Sequence, residues 1–460
     1  MSKKKLFAAV AFEELEDHPA LRDLTLAEGE EPININEVMP ESAVQAETLI
    51  IDQTKDQNVI GVIEKQLDNA VVVKDALNGA QTVLEESTQN GGLTANTAQI
   101  LQVLTDNIEA SKVEPNDYTV EEVIVKPMPA MEHYVYLRER QLNTQVALES
   151  IKESIRAFWL WVIERLKKLG DTLLLYYRRN TTLLQLLELR INRVERYLRG
   201  INRSNTRLYI ERPSLANGLA INGIFPESIQ TYLETFESVT NEVFQWHNAN
   251  NIDAIITQLK TVVNNPQSDI KKIVELMAEV PTVLKAEGAP SAKLQRYESP
   301  DLFGNRRLVV QSIADVENAS IDDLASDITR LSVRLDYFEP TRPQATKIPL
   351  VTIKELYSTI ETCRSCVKTL LGYKAEITRI TSIIDSLKQF STTQVNKPES
   401  SLTSDQKAHK RLIENICISL PKLVFHPTLD YSTYCANTVR LLTSYVELAA
   451  RTTLNESKHV

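Results

Sequence analysis

The 460-residue chain has little glycine and little cysteine: 12 glycines and four cysteines. Large β-barrels and phosphate-binding loops rely on glycine where the backbone turns sharply, so both classes are disfavoured. Four cysteines are too few for a disulfide scaffold. The longest uncharged apolar run near the middle spans residues 157–163, far short of the roughly 20 residues that a membrane-spanning helix needs. No stable membrane span is predicted.

The sequence also lacks the common catalytic and cofactor motifs. Neither GxxxxGK[ST] nor GxGxxG occurs, and GxSxG and HExxH are absent as well. The six histidines are scattered. Cys363 and Cys366 form a single CxxC, and a zinc site would require a second pair at suitable spacing. We therefore interpret them as thiols buried in a helix, and we predict no enzyme activity, no catalytic residue, no cofactor and no metal site.

Hydrophobic periodicity predicts a mainly α fold of long helices in a bundle, with a small β-hairpin insertion near 295–311. Glycines at 91–92 predict a break between two early helices. Five segments follow from composition and breakers: an acidic flexible leader at 1–35, an acidic helical region at 36–130, a basic amphipathic helical region at 131–212, a helical body at 213–390 and a C-terminal helical region at 391–460.

Local signals place several helix ends. Ser150 and Glu153 fit a capping box, which predicts a helix start there, and Gly170-Asp171 predicts a break. The predicted hairpin joins 297–300 to 306–311. Further helices are predicted at 228–246, 252–264, 269–278, 321–334, 353–390, 404–420 and 431–454.

Charge is distributed unevenly along the chain. Residues 1–153 hold 12 Lys+Arg and 28 Asp+Glu, a net of −16, whereas residues 154–460 hold 39 and 33, a net of +6; together these give the chain's −10. Two interpretations stand: two solvated surfaces of opposite sign, or an acidic part that masks a basic part. The candidate residues for contact with a polyanion or a partner are Arg178, Arg179, Arg190, Arg193, Arg196 and Arg199. Without a base-reading module, contact with DNA would be non-specific.

Aromatic residues suggest a further alternative. Trp159 and Trp161 flank an apolar stretch, and Tyr176-Tyr177 follow. Such a helix either lies in a membrane interface or packs in a protein core. The core is the preferred interpretation.

Several stretches resemble internal head (inner virion) proteins of large myophages. They are residues 147–154 leading into 157–161, residues 302–310, and the helix at 434–448. The resemblance implies a virion structural protein of the capsid interior, assembled in the host cytoplasm beside other virion proteins. It also implies a precursor whose acidic N-terminal propeptide is cut by a prohead protease, leaving a basic body that faces packaged DNA.

The resemblance implies candidate cleavage positions too, because such proteases cut after a Glu that lies two residues beyond a small or aliphatic residue and is followed by a small residue. The matching positions are Glu28, Glu86, Glu149, Glu153 and Glu456. Cleavage is easier in extended chain than in a helix. This favours Glu28 and Glu86, and it favours Glu149 or Glu153 only if the helix begins after them. The alternative function is a cytoplasmic helical adaptor that binds a partner protein through amphipathic helices.

Overall fold

A computed structural model describes residues 41–110, 137–201, 209–226, 228–246, 249–264, 269–287, 294–343, 345–372, 385 and 402–458. The predicted leader at 1–35 lies outside these residues. The helices are α1 (Glu41–Gln89), α2 (Ala95–Ala110), α3 (Leu137–Arg199), α4 (Pro213–Leu219), α5 (Gln230–Trp246), α6 (Ala249–Asn264), α7 (Lys271–Ala278), α8 (Ile321–Asp327), α9 (Ile353–Gly372) and α10 (Ser404–Lys458). The prediction of a mainly α fold is confirmed.

The strands form two small antiparallel sheets. They are β1 (Tyr209–Glu211), β2 (Lys285–Glu287), β3 (Leu294–Glu298), β4 (Arg306–Ile313), β5 (Ser332–Tyr337) and β6 (Lys347–Pro349). The larger sheet has the order β2-β3-β4-β5, and β1 pairs with β6. The predicted hairpin is confirmed as β3 and β4, with Tyr297 opposite Val310. Gly304 and Asn305 turn the chain with φ of 71° and 55°.

Two very long helices run through the molecule: α3 has 63 residues and α10 has 55. The first half of α3 packs in one apolar core with α1, α2, α6, α7, α8 and residues 412–429 of α10. Its second half packs in another core with α4, α5, α9, the sheets and residues 431–450 of α10. We call these the first and the second core. Because α3 and α10 belong to both, they connect the two halves of the protein.

A layer of buried polar side chains lies where the two cores meet. Gln53 of α1 donates to Asn180 of α3 at 3.2 Å, and Asn180 donates to Ser432 of α10 at 2.8 Å. Gln57 donates to Thr433 at 2.8 Å. Buried polar groups are costly unless they find partners, so this layer fixes how the three helices align along their length.

Two helix boundaries that the sequence predicted inside α3 are wrong. Ser150 and Glu153 do not cap a helix, because α3 begins at Leu137, and the Ser154 hydroxyl donates to the Ser150 carbonyl within the helix at 3.0 Å. The predicted break at Gly170-Asp171 is also absent. A glycine inside a helix costs about 1 kcal/mol, whereas burial of a leucine such as Leu169 or Leu173 contributes about 1.5–3 kcal/mol.

Two other predicted helices differ as well. The segments 404–420 and 431–454 form the single helix α10, which continues through Pro421 and Pro427. The helix predicted at 321–334 ends in a 3₁₀ turn at Ile328–Arg330. The chain then enters β5, where Val333 pairs with β4 and is buried. Sheet pairing with a distant strand thus overrides the helical periodicity.

The other helices follow the prediction. The break after α1 is confirmed, with φ of 87° at Gly91 and 107° at Gly92. The helices predicted at 228–246, 252–264 and 269–278 correspond to α5, α6 and α7. Of the helix predicted at 353–390, α9 accounts for the part up to Gly372, and residues 373–384 and 386–390 lie outside the described residues.

Gly223 holds three loops together and gives a stability prediction. Its φ is +78°, its N–H donates to Asn305 Oδ1 at 3.1 Å, and an added Cβ would lie 2.5 Å from the Arg342 carbonyl oxygen. We expect Gly223→Ala to lower the free energy of unfolding by about 1–3 kcal/mol, because strain and a backbone clash combine. In urea titrations Gly61→Ala is the control: it lies in α1 with open space around the new Cβ and should be neutral or stabilising. Equal effects would contradict the loop geometry.

Candidate functional site

The six candidate arginines divide into two groups on the second half of α3. Arg178, Arg193 and Arg196 are exposed, and none of them forms an ion pair with a described residue. The positions 178 and 196 fall on one side of the helix at about 100° per residue, with 193 beside them. We call the six candidate arginines the arginine row, and these three side chains form the part of it that is open to a ligand.

The other three arginines form ion pairs within the protein. Arg179 contacts Asp56 of α1 at 2.6 Å, and Arg190 contacts Glu447 of α10 at 2.9 Å. Arg199 contacts Glu195 one turn earlier at 2.6 Å. The first two guanidinium groups stabilise contacts between helices, whereas the Arg199 pair lies within α3 and leaves the Arg199 side chain 69% exposed. Arg179 and Arg190 are therefore the members of the arginine row that are engaged inside the protein.

Glu195 sits between two cations at the second-core end of α3. It accepts from Arg199 and from Arg364 of α9, each at 2.6 Å. The hydrogen bond from Arg199, followed by that from Arg364, holds the pKa of Glu195 below its ordinary value. This carboxylate therefore stays charged and links α9 to α3.

Three acidic residues of α1 lie close to arginines of other helices. Asp56 is 8% exposed and bound to Arg179, and Asp52 lies 4.0 Å from the same guanidinium. Asp75 contacts Arg411 of α10 at 3.3 Å. Acidic and basic parts of the sequence therefore form ion pairs with each other inside one folded protein. Neither interpretation of the charge distribution, two solvated surfaces or an acidic mask, specified these contacts.

Two neighbouring arginines allow a matched test of this division. We expect Arg179→Ala to destabilise the protein by about 1–3 kcal/mol, because it leaves the nearly buried Asp56 carboxylate without its partner. Arg178→Ala should change stability by less than about 0.5 kcal/mol, since Arg178 is an exposed position without such contacts. Thermal and urea unfolding of the two variants measures the difference. A destabilised Arg178→Ala protein would contradict this assignment.

The candidate cleavage positions lie mostly in helices. Glu86 is exposed in the last turn of α1, and Glu149 and Glu153 are exposed inside α3. Glu456 lies in the last turn of α10, and Glu28 is outside the described residues. The condition that favoured Glu149 and Glu153, a helix beginning after them, is not met. Cleavage there requires local unfolding of α3.

The aromatic and thiol residues belong to the cores. Trp159 and Tyr176 are buried in the first core, which confirms the core interpretation of that helix. Cys363 and Cys366 are buried in the second core, as predicted. Burial raises the pKa of Cys363 to about 12, so this thiol stays protonated and unreactive.

Sequence analysis missed a buried charged cluster between α1 and α10. Lys74 is 1% exposed; its ammonium group contacts the side-chain oxygen of Asn415, and it lies 3.7 Å from the Glu414 carboxylate and 3.2 Å from Asp75. Asn78 also donates to Glu414 at 3.1 Å. The signal in the sequence was the position of Lys74 in phase with the buried apolar residues of α1.

Two features of other protein classes are absent from the described part of the chain. No helix there is long and apolar enough to cross a membrane. No group of three or more His, Cys, Asp or Glu side chains there is arranged to hold a metal ion.

Comparison with known proteins gives one match. The family described as phiKZ-like phage internal head proteins matches residues 50–448, which include most of α1 and α10, the first core, all but the last two residues of the second core, and the arginine row. No curated protein and no solved structure is significantly similar to the chain. Since the match covers most of the 460 residues, this chain belongs to the family of phiKZ-like phage internal head proteins.

Proposed function

We propose that this internal head protein is a non-enzymatic structural component that contacts other virion proteins through its helical body. The family match over residues 50–448 carries the proposal, because it spans both cores. Purified particles provide the test. The chain should resist added protease in intact heads and be degraded once the heads are opened. Recovery from infected cytoplasm but not from particles would favour the adaptor alternative.

We further propose that processing by a prohead protease, if it follows the implied specificity, acts at Glu28. A cut at Glu28 leaves α1 and both cores whole, whereas a cut at Glu149 or Glu153 would divide α3. Residues 1–28 hold four Lys+Arg and six Asp+Glu, a net of −2. The remaining chain therefore keeps a net of −8, the difference between −10 and −2. Processing at Glu28 removes a leader without inverting the charge.

Limited digestion with a glutamate-specific protease tests this choice of site. The folded chain should be cut at Glu28 well before Glu149 and Glu153. Denatured chain serves as the control, since all three positions should then be cut at similar rates. Equally rapid cleavage at Glu153 in the folded chain would contradict the proposal.

We propose that three exposed arginines of α3 make the contact with packaged DNA. Arg178, Arg193 and Arg196 share the outer side of α3 and form no ion pair with described residues. Three phosphate contacts correspond to a slope of about −3 in a plot of log affinity against log salt concentration. Binding to duplex DNA should therefore be weak, independent of sequence and lost at high salt.

The matched control for these arginines comes from exposed lysines elsewhere. A variant with all three arginines changed to Ala should lose the salt-dependent binding in a fluorescence anisotropy titration. A variant with Lys65, Lys285 and Lys354 changed to Ala removes the same charge from other surfaces and should bind as the unaltered chain does. Equal losses in both variants would contradict a specific role for α3.

A further inference from the structure

The outer face of α3 carries leucines that no described part of the protein covers. Leu160 and Leu189 are 68% and 63% exposed, the two highest fractions among the exposed large apolar side chains of the described residues, and Leu175 is 48% exposed. Isolated surface leucines are normal. These three, however, are separated by 15 and 14 residues along a single helix, which places them on one side of α3 four turns apart.

Charged and polar residues between the leucines continue the same line. Leu160, Lys167, Asp171, Arg178, Thr182 and Leu189 are all exposed and recur at alternating intervals of seven and four residues. Such intervals average about 3.6 residues per turn, the period of a straight α-helix, so the line stays on one side of α3 and can face a second helix along its length. We call this line of residues the α3 seam.

The order of charges along the seam selects the partner and its direction. Leu160 and Leu189 lie equally far from a midpoint between residues 174 and 175, and Asp171 and Arg178 lie equally far from the same midpoint. If a second α3 ran antiparallel about that midpoint, each Leu160 would meet the other Leu189, and each Asp171 would meet the other Arg178. In a parallel pair, Asp171 would instead face Asp171 and Arg178 would face Arg178, which is unfavourable.

We propose that the α3 seam is an isologous interface through which two copies of this chain pair with their α3 helices antiparallel. The outer end of the seam agrees with this arrangement, because Glu153 and Arg196 are exposed and also lie symmetrically about the midpoint. A closed twofold pair of this type is the commonest form of soluble homo-oligomer.

One pair of like charges falls at matched heights, Arg156 and Arg193. At about 100° per residue they lie roughly 100° apart around the helix, on opposite edges of the seam. In an antiparallel pair related by a twofold axis, side chains on opposite edges stay on opposite sides of the interface. Their repulsion is therefore smaller than that of two arginines facing each other directly.

Pairing has a consequence for the proposed DNA contact. Arg178 lies at the centre of the seam and Arg196 at its end, so the pair would cover both residues. Pairing and DNA binding at these arginines exclude each other. The inference does not rest on processing or on DNA binding, and its test separates it from both.

Sedimentation equilibrium of the full chain at physiological salt tests the pairing. That salt screens most of the repulsion between copies of net charge −10. The unaltered chain should form dimers as its concentration rises. Asp171→Arg should weaken association by about tenfold or more, because two attractive pairs become repulsive. The double variant Asp171→Arg with Arg178→Asp should restore it, since the charges are exchanged.

The control variant is Glu188→Arg, which adds the same charge to an exposed position of α3 about 90° away from the seam. It should dimerise normally. Asp171→Arg also adds positive charge and should increase DNA binding while it weakens pairing, so the two proposals fail separately. A monomeric unaltered chain at all concentrations, or a double variant that stays monomeric, would overturn the pairing.

Cross-linking gives an independent measure of register. All four natural cysteines are buried, so an introduced surface cysteine is expected to react selectively. Leu175→Cys lies next to the twofold axis and should form a disulfide-linked dimer under mild oxidation. Gln185→Cys lies beside the seam, about 30 Å from its counterpart in the pair, and should not. Equal cross-linking of both variants, or cross-linking of Gln185→Cys alone, would overturn the proposed register.

Discussion

A chain that begins at Ser154 is expected to be unfolded or insoluble, whereas a chain that begins at Gly29 is expected to melt as the full chain does. The first truncation removes α1 and α2 and the first 17 residues of α3, which precede Ser154 in a helix beginning at Leu137. The second removes only residues outside the described part of the protein.

The size of the effect follows from what α1 buries. Six of its large aliphatic side chains are at most 3% exposed in the first core: Ile60, Ile63, Leu67, Val73, Leu77 and Leu84. At about 1.5–3 kcal/mol each, their loss is comparable with the total stability of a typical domain, about 5–15 kcal/mol. The acidic half of the sequence is therefore a structural part of the protein.

Circular dichroism and size-exclusion chromatography measure whether each truncated chain is folded and soluble. The Ser154 chain should show loss of cooperative unfolding and aggregation, because the first-core side of α3 becomes exposed. A soluble, cooperatively folded Ser154 chain would contradict the structural role of α1 and would revive a large acidic propeptide.

Lys74→Ala is expected to lower the free energy of unfolding by about 3 kcal/mol, because it removes a cation beside the buried Glu414 carboxylate and leaves the Asn415 side-chain oxygen without its donor. Lys74 lies 3.7 Å from Glu414, whose side chain is 2% exposed. The remaining cation near Glu414 is Lys410 at 3.8 Å, one turn earlier in α10. The loss of Lys74 also removes a contact between α1 and α10.

Lys65→Ala is the matched control for this effect, since Lys65 is an exposed lysine of the same helix. It should change stability by less than about 0.5 kcal/mol. Urea titration with both variants gives the comparison. A Lys74→Ala chain as stable as the control would show that the cluster contributes nothing to the packing of α1 against α10.

The sequence predicted local features of the fold well, because they depend on neighbouring residues. The glycines at 91–92 marked the end of a helix, and the turn around Gly304 marked the hairpin. The continuity of α3 through Gly170 and of α10 through Pro421 was not predictable locally. It depends on burial against distant helices, which outweighs the cost of a helix breaker.

The candidate site shows the same limit. The periodicity placed Arg190, Arg193 and Arg196 on one helix, but it could not show which of them find a carboxylate inside the protein. The partners of Arg179 and Arg190 are 123 and 257 residues away in the sequence. Net charge by segment was equally uninformative about exposure, because three acids of α1, Asp52, Asp56 and Asp75, lie close to arginines of other helices.

We expect α1 to be part of the mature internal head protein. The most direct test is the intact mass and N-terminal sequence of the chain isolated from finished particles. The expected result is a start at Gly29 with the acidic helix retained. A start at Ser87, Ser150 or Ser154 would contradict it, because each would remove most or all of α1 from the first core.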